Sequence, residues 1–340
     1  MRILLLMLAF ALAVWTIGSG APQPENRRPA QTGMSDQWLY RAVAVQQNGC
    51  SGYYQAAIAM QRQWHYPVSP FVTVRLPLLA CALATVGERG MRIGAMVLVV
   101  AAAMLWTWRL SASSLGRRVA VCGALAGVGL PLALSPFVFL HDFWAGILLT
   151  FALAFRHAAW RVGWGLAAAL VRELVAPFLV LQAAAYALTR RMPAMALAGC
   201  AIVAFGAVIV LHREQVMALT RSTDLVSQGW HGMRGPAAMV QDVAGLTVLQ
   251  FLPWPAVSAL AILPLLGWFD ARDGRLGFAW FALFLAVIAI FSRPDNAYWA
   301  ANILPIYFAG YAFLPDYLRN LAADWRQLRS WARSRTQPTS

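Results

Sequence analysis

Apolar runs separated by short polar stretches occupy most of the chain. They lie at 3–18, 71–87, 93–108, 119–140, 143–155, 162–188, 194–211, 253–269, 276–291 and 297–314. About 20 apolar residues, rising 1.5 Å each as a helix, cross the ~30 Å hydrocarbon core of a bilayer. The pattern therefore predicts an all-α polytopic membrane protein with roughly 9–11 transmembrane or half-membrane helices. The first run is slightly short, and small residues follow it at 18–21, so it reads either as a first membrane helix or as a secretory signal.

One stretch breaks this rhythm. Residues 19–70 form a long polar and aromatic connection, expected to be the first extracytoplasmic loop. A connection this long with its own helical pattern is more often functional than a tether. Residues 21–34 are rich in Pro, Gln, Arg and Gly and read as irregular. Ser35 is placed to cap a helix over 36–47, with Asp36 in its first turn, where a carboxylate suits the helix dipole. Residues 48–52 break that helix. A second amphipathic helix is predicted over 53–64, ended by Tyr66-Pro67. Such helices lie in the membrane interface, with Trp and Tyr at headgroup level.

Composition sharpens the picture. The chain has 340 residues, 60% of them hydrophobic and 12% charged, against about 25% charged in soluble domains. No polar block is long enough for a separate soluble domain, so a single membrane domain over 1–318 and a basic cytoplasmic tail over 319–340 are expected. The formal charge is +14, and every basic side chain other than the histidines is Arg. That charge fits binding to phosphorylated lipids, and it equally fits the excess of basic residues on the cytoplasmic side. Nucleic acid is a poor partner, because the arginines are scattered between apolar runs. Of four cysteines, Cys81, Cys122 and Cys200 lie inside apolar runs and read as small core residues. Cys50 has no partner in its loop. No disulfide framework and no zinc spacing is expected.

Arg clusters at 117/118, 156/161, 190/191 and 319–335 set the topology if all are cytoplasmic. His141 and Asp142 then fall outside. The stretch 161–190 is too short for two ordinary spans, so two short or broken helices are expected to meet near Arg172–Glu173; the alternative is one long tilted span. A long outer segment follows over 212–252, then an inner turn with Arg272 and Arg275. Parity leaves 71–87 only partly inserted. Asp36, His65, Arg75, His141, Asp142, Arg172, Glu173, His212, Glu214, His231, Arg234, Arg293 and Asp295 then share one side. Ionisable groups in or beside membrane spans are expensive and mark candidate functional sites. No internal repeat is visible, which speaks against common transporter designs.

Several stretches resemble one family. They are Asp36-x-x-x-Tyr40, Gly52-Tyr53-Tyr54, Tyr66-Pro67, Val74-Arg75-Leu76-Pro77, His141-Asp142-Phe143-Trp144-Ala145-Gly146, Leu170-Val171-Arg172-Glu173-Leu174 and Arg293-Pro294-Asp295-Asn296-Ala297-Tyr298-Trp299. Together they make the chain similar to bacterial membrane glycosyltransferases of the C-type fold, mannosyltransferase-like enzymes that use polyprenyl-phosphate sugars. The resemblance implies transfer of a hexose from a polyprenyl-phosphate donor to a glycan, lipid or protein acceptor. It also implies a multi-pass protein of the bacterial inner membrane, with its site facing the periplasm. In the family the first outer loop supplies an acid, and Asp36 is the matching position. Many members carry two adjacent acids there; here Ser35 and Gln37 flank Asp36, and Glu25 is followed by Asn26.

The chemistry of transfer gives each residue a role. Asp36 is the candidate general base for the acceptor hydroxyl. Arg75, Arg172 and Arg293 are candidates to hold the donor phosphate, because guanidinium binds phosphate bidentately. Asp142, Glu173 and Asp295 are candidates to orient those arginines or to complete a site for Mg²⁺ or Mn²⁺. Tyr40, Tyr53, Tyr54, His65 and His141 are candidates to line the substrate, as is Trp38, with an interfacial aromatic belt as the alternative for the aromatics. Two other functions share the apolar pattern: a transporter or flippase for lipid-linked sugars, and a polysaccharide polymerase or ligase.

Overall fold

The computed structural model describes residues 1–22, 35–47, 50–230, 232–271 and 274–336, with 332–336 described by backbone alone. Expectations for most of 21–34, Glu25, Asn26, Asn48, His231, Arg272 and the last four residues lie outside the described residues. The regular secondary structure of the described residues is helical, apart from an isolated bridge between Ser69 and Val226. The long helices are α1 (Arg2–Gly18), α4 (Leu78–Arg109), α5 (Leu115–Leu134), α9 (Met192–Leu219), α11 (Trp254–Asp270), α12 (Arg275–Phe291) and α14 (Leu314–Thr336). Shorter ones are α2 (Asp36–Gln46), α3 (Tyr53–Gln63), α6 (His141–Ala154), α7 (Ala158–Val171), α8 (Pro177–Leu188), α10 (Gly235–Gly245) and α13 (Leu304–Tyr307). Among the described residues, three stretches are long and apolar enough to cross a membrane: Phe71–Arg109, Leu115–Leu134 and Met192–Leu219.

Local chemistry explains where the apolar runs break. The runs at 71–87 and 93–108 are joined in α4, which is interrupted at Gly87 (φ 70°, ψ 173°), a conformation that glycine adopts without a Cβ penalty. The part after the break, 88–109, rises about 33 Å and alone matches the bilayer core. The part before it is a short helix at the loop end. In the run 162–188, α7 and α8 meet through a 3₁₀ turn at Glu173–Val175, with Arg172 extended between them. This is the expected broken pair. The last apolar run is the surprise. Residues 294–312 form 3₁₀ turns and the single turn α13 rather than one helix. From Trp299 to Tyr307 this broken segment is wholly buried, against α5 and α6, and its last turn packs on α11. Its backbone runs close to its neighbours at glycines: a Cβ on Gly146 would strike the Ala301 carbonyl, and one on Gly267 the Gly310 carbonyl. Backbone carbonyls left over by the irregular path find side-chain donors, as when Trp268 Nε1 donates to the Tyr307 carbonyl at 2.8 Å.

The bundle has two polar ends. At one, Arg2 pairs with Asp270 and Asp324, Arg117 with Asp316, and the Tyr317 hydroxyl donates to the Arg2 carbonyl at 2.6 Å. The other end carries α2, α3 and the start of α4. Here Leu39, Val43, Tyr53, Ile58, Val68, Val74 and Val216 form a small core of their own, so the first loop is packed onto the end of α9. Four sequence expectations change. The helix α9 runs to Leu219, so the segment after it begins later than residue 212. Ser35 precedes α2 in extended conformation, but its side chain makes no capping hydrogen bond. Cys50 and Cys81 are joined as a disulfide, with Cα atoms 5.3 Å apart. Cys81 sits in the first turn of α4, so its position in an apolar run hid its role as a staple between loop and helix. Finally, α14 passes residue 319 without a break.

Candidate functional site

Five separate segments bring polar side chains together at the loop end of the bundle. Helix α2 presents Tyr40, the stretch before α4 presents Arg75, and the first turn of α6 presents His141 and Asp142. The turn between α7 and α8 presents Arg172 and Glu173, and the broken last segment adds Tyr298 and Asn302. Arg172 is the centre. It is 1% exposed, and its Nε donates to Asp142 Oδ1 at 3.0 Å while Nη1 donates to Glu173 Oε1 at 2.8 Å. Arg75 Nη1 donates to the same Glu173 oxygen at 2.5 Å, and its Nε to the Tyr40 hydroxyl at 3.2 Å. Asn302 Nδ2 donates to Asp142 Oδ1 at 2.6 Å. Two guanidiniums are thus matched by two carboxylates, which is what low-dielectric burial requires.

The cluster is incompletely satisfied. Both ring nitrogens of His141 are buried without a hydrogen-bond partner, as is Glu173 Oε2. His141 packs edge-on against Tyr40, with ring centroids 4.7 Å apart. Burial raises the Tyr40 phenol above its ordinary value, so it remains a protonated donor near neutrality. A cavity of about 10 Å³, room for a single water, lies among Tyr40, Gln61, Arg75 and His141. Asp36 stands at the rim in the first turn of α2, half-buried, close enough to bear electrostatically on the phenols of Tyr40 and Tyr298.

Not every expected residue joins this cluster. Tyr53 supports it from behind, its hydroxyl donating to the Arg75 carbonyl at 2.7 Å. Tyr54 turns instead to His212, its hydroxyl 3.1 Å from Nδ1, and His212 Nε2 lies 3.0 Å from the Val74 carbonyl. His65 is exposed, with φ 56°, in the turn that ends α3. Asp295 is exposed and Glu214 faces away from the bundle. Arg293 has a buried Nε without a partner, and none of its described contacts reaches Arg75 or Arg172. Its carbonyl accepts from Arg234, which pairs with Asp242 at 2.8 Å. The supporting role expected of Asp142 and Glu173 matches their hydrogen bonds to the arginines. Asp295 makes no such contact among the described residues.

Sequence reading missed two members. Asn302 was hidden inside an apolar run, where a polar side chain is itself a signal. Tyr298 stood within the Arg293–Trp299 motif, but only the charged residues there drew notice. Among the described residues, no three His, Cys, Asp or Glu side chains are grouped to hold a metal ion. The carboxylates nearest the centre are occupied by guanidinium donors. No family model matches this chain, and neither the curated proteins nor the solved structures compared with it give a match.

Proposed function

We propose that this chain is a multi-pass membrane glycosyltransferase, moving a sugar from a polyprenyl-phosphate donor to an acceptor on the periplasmic side of the inner membrane. The observation that carries the reading is the buried Arg75–Arg172–Asp142–Glu173 cluster with Asp36 at its rim. Transfer needs a base for the acceptor hydroxyl beside fixed positive groups for the leaving phosphate. In this reading, Asp36 takes the acceptor proton as the acceptor oxygen bonds to the anomeric carbon. The bond from that carbon to the phosphate oxygen breaks, and polyprenyl phosphate leaves. Glu173 and Asp142 hold the two guanidiniums in place, so that their remaining N–H groups meet the phosphate without reorganising. His141, with neither ring nitrogen bonded, offers one more polar contact to substrate. The small cavity does not admit a sugar, so binding requires the first-loop helices to shift from the cluster. The Cys50–Cys81 disulfide supports an oxidising compartment for this end.

The test is a transfer assay on purified protein with a polyprenyl-phosphate sugar. Asn caps a helix nearly as well as Asp, so Asp36→Asn is expected to fold. Its turnover is expected to fall by about 10²–10⁴-fold, with donor binding little changed. Near-parental turnover would remove Asp36 from the base role.

A further inference from the structure

We propose that the groove between α4 and α5 binds one acyl chain of an anionic phospholipid, with the lipid phosphate on Arg118. The proposal is independent of sugar transfer and rests only on these two helices lying in a membrane. The groove has a volume of about 470 Å³ and shares no lining residue with the Arg172 cluster. Val100, Met104, Ala126 and Leu130 form its apolar wall, and it closes at Trp108 and Arg118. Both helices are among the stretches long and apolar enough to span a bilayer. The groove opens sideways: Met104 is 62% and Trp108 73% exposed. Within a bilayer, that opening faces lipid rather than water.

Charge and length choose the occupant. Arg118 Nε is buried without a hydrogen-bond partner, and no carboxylate among the described residues pairs with this guanidinium. Its neighbours are settled differently: Arg117 pairs with Asp316 at 2.7 Å, and Arg109 Nη1 donates to the Ala154 carbonyl at 2.6 Å. A desolvated guanidinium N–H at the mouth of an apolar groove calls for an anionic oxygen. The lining runs over 99–108 on α4, with Ser111 just past its end, and over 118–130 on α5, about 14 Å and about 18 Å along the two axes. One leaflet of the hydrocarbon core is about 15 Å deep. The groove thus matches a single acyl chain of the leaflet at the Arg2 end, with Trp108 at headgroup depth.

The test uses full-length protein in phosphatidylcholine nanodiscs containing graded phosphatidylglycerol, with retained lipid counted by native mass spectrometry. Parent protein is expected to retain phosphatidylglycerol in preference to phosphatidylcholine. Arg118→Gln is expected to lower that retention about tenfold, the scale of one lost charge-assisted contact. Ala126→Phe fills the groove and is expected to lower retention of both lipids, with Ala126→Leu as the milder filling should the Phe variant not purify. Gly123→Leu, on the exposed side of α5 with open space around it, should behave as the parent. Parental phosphatidylglycerol retention in Arg118→Gln would overturn the headgroup assignment, and parental retention in the Ala126 variants would overturn the acyl-chain placement. An equal thermal shift from inorganic phosphate alone would likewise overturn the lipid reading.

Discussion

Arg75 and Arg172 donate to the same oxygen, Glu173 Oε1, at 2.5 and 2.8 Å. One carboxylate thus ties the first loop to the turn between α7 and α8. Removing it leaves two buried guanidiniums with only Asp142 between them. Breaking a buried ion pair from one side costs about 3–5 kcal/mol. Glu173→Gln should therefore lower the detergent-phase melting temperature clearly, and Asp142→Ala should do the same while also removing one of the two acceptors of the Asn302 amide. Melting within a degree of the parent for both would mean the cluster carries no structural weight.

The Cys50–Cys81 staple gives a chemical test of the loop. Cys122 is half-buried and Cys200 exposed, both as free thiols. Maleimide labelling of unreduced, denatured protein should modify those two alone, with reduction exposing two more sites. Closing a loop of this length is worth about 2–4 kcal/mol in the chain-entropy account. The Cys50→Ser variant should lose stability by that order. Labelling of all four thiols without reduction would show that the bond does not form.

Stability should depend on acid pH through Arg62 and Asp224. Arg62 donates to both Asp224 oxygens, at 2.6 and 2.8 Å, pinning α3 to the segment after α9. These hydrogen bonds hold the Asp224 carboxyl down to about 2, below its unfolded value of about 3.9. A depressed carboxyl stabilises the fold fully above the unfolded value, and that stability is lost as pH falls toward the folded one. Parent protein should therefore lose stability between about pH 4 and pH 2, and Asp224→Asn should show a shallower slope across that window. Identical slopes would remove this pair as the cause.

Sidedness follows from the two polar ends. Val45 on α2 is 86% exposed, and Leu328 on α14 is 51% exposed. With Cys122 and Cys200 replaced, a cysteine at 45 should react with an impermeant reagent added outside spheroplasts, while one at 328 should react only after lysis. The reverse pattern would invert the proposed orientation.

Much of this architecture was legible in the apolar runs. Helix starts near 36, 53 and 275 and the break at Arg172–Glu173 followed from turn chemistry and from the bilayer's thickness. The break at Gly87 inside α4 was not foreseen, since the two runs around it read as separate segments. Pairing across distance was not legible. Nothing local told Cys81 from a core cysteine, since its partner lies in another element. The loose role assigned to Asp142 became definite only when α6 and α7 packed side by side. Arg293 went the other way: its motif placed it with the arginines, while the fold turned its carbonyl toward Arg234. The fragmented path of 294–312 was equally hidden, because buried 3₁₀ turns and a buried helix share the same apolar composition.

That late, fragmented segment has a bearing on how the molecule is made. It enters between α5, α6 and α11, elements synthesised well before it, and its residues from Trp299 to Tyr307 are almost wholly enclosed. Until the ribosome has delivered it, Asp142 lacks the Asn302 amide and Trp268 lacks the Tyr307 carbonyl. The last polar partners of the core therefore come from the C-terminal part of the chain. The glycines at 146, 267 and 310 give the backbone-to-backbone clearance that the segment's final position requires.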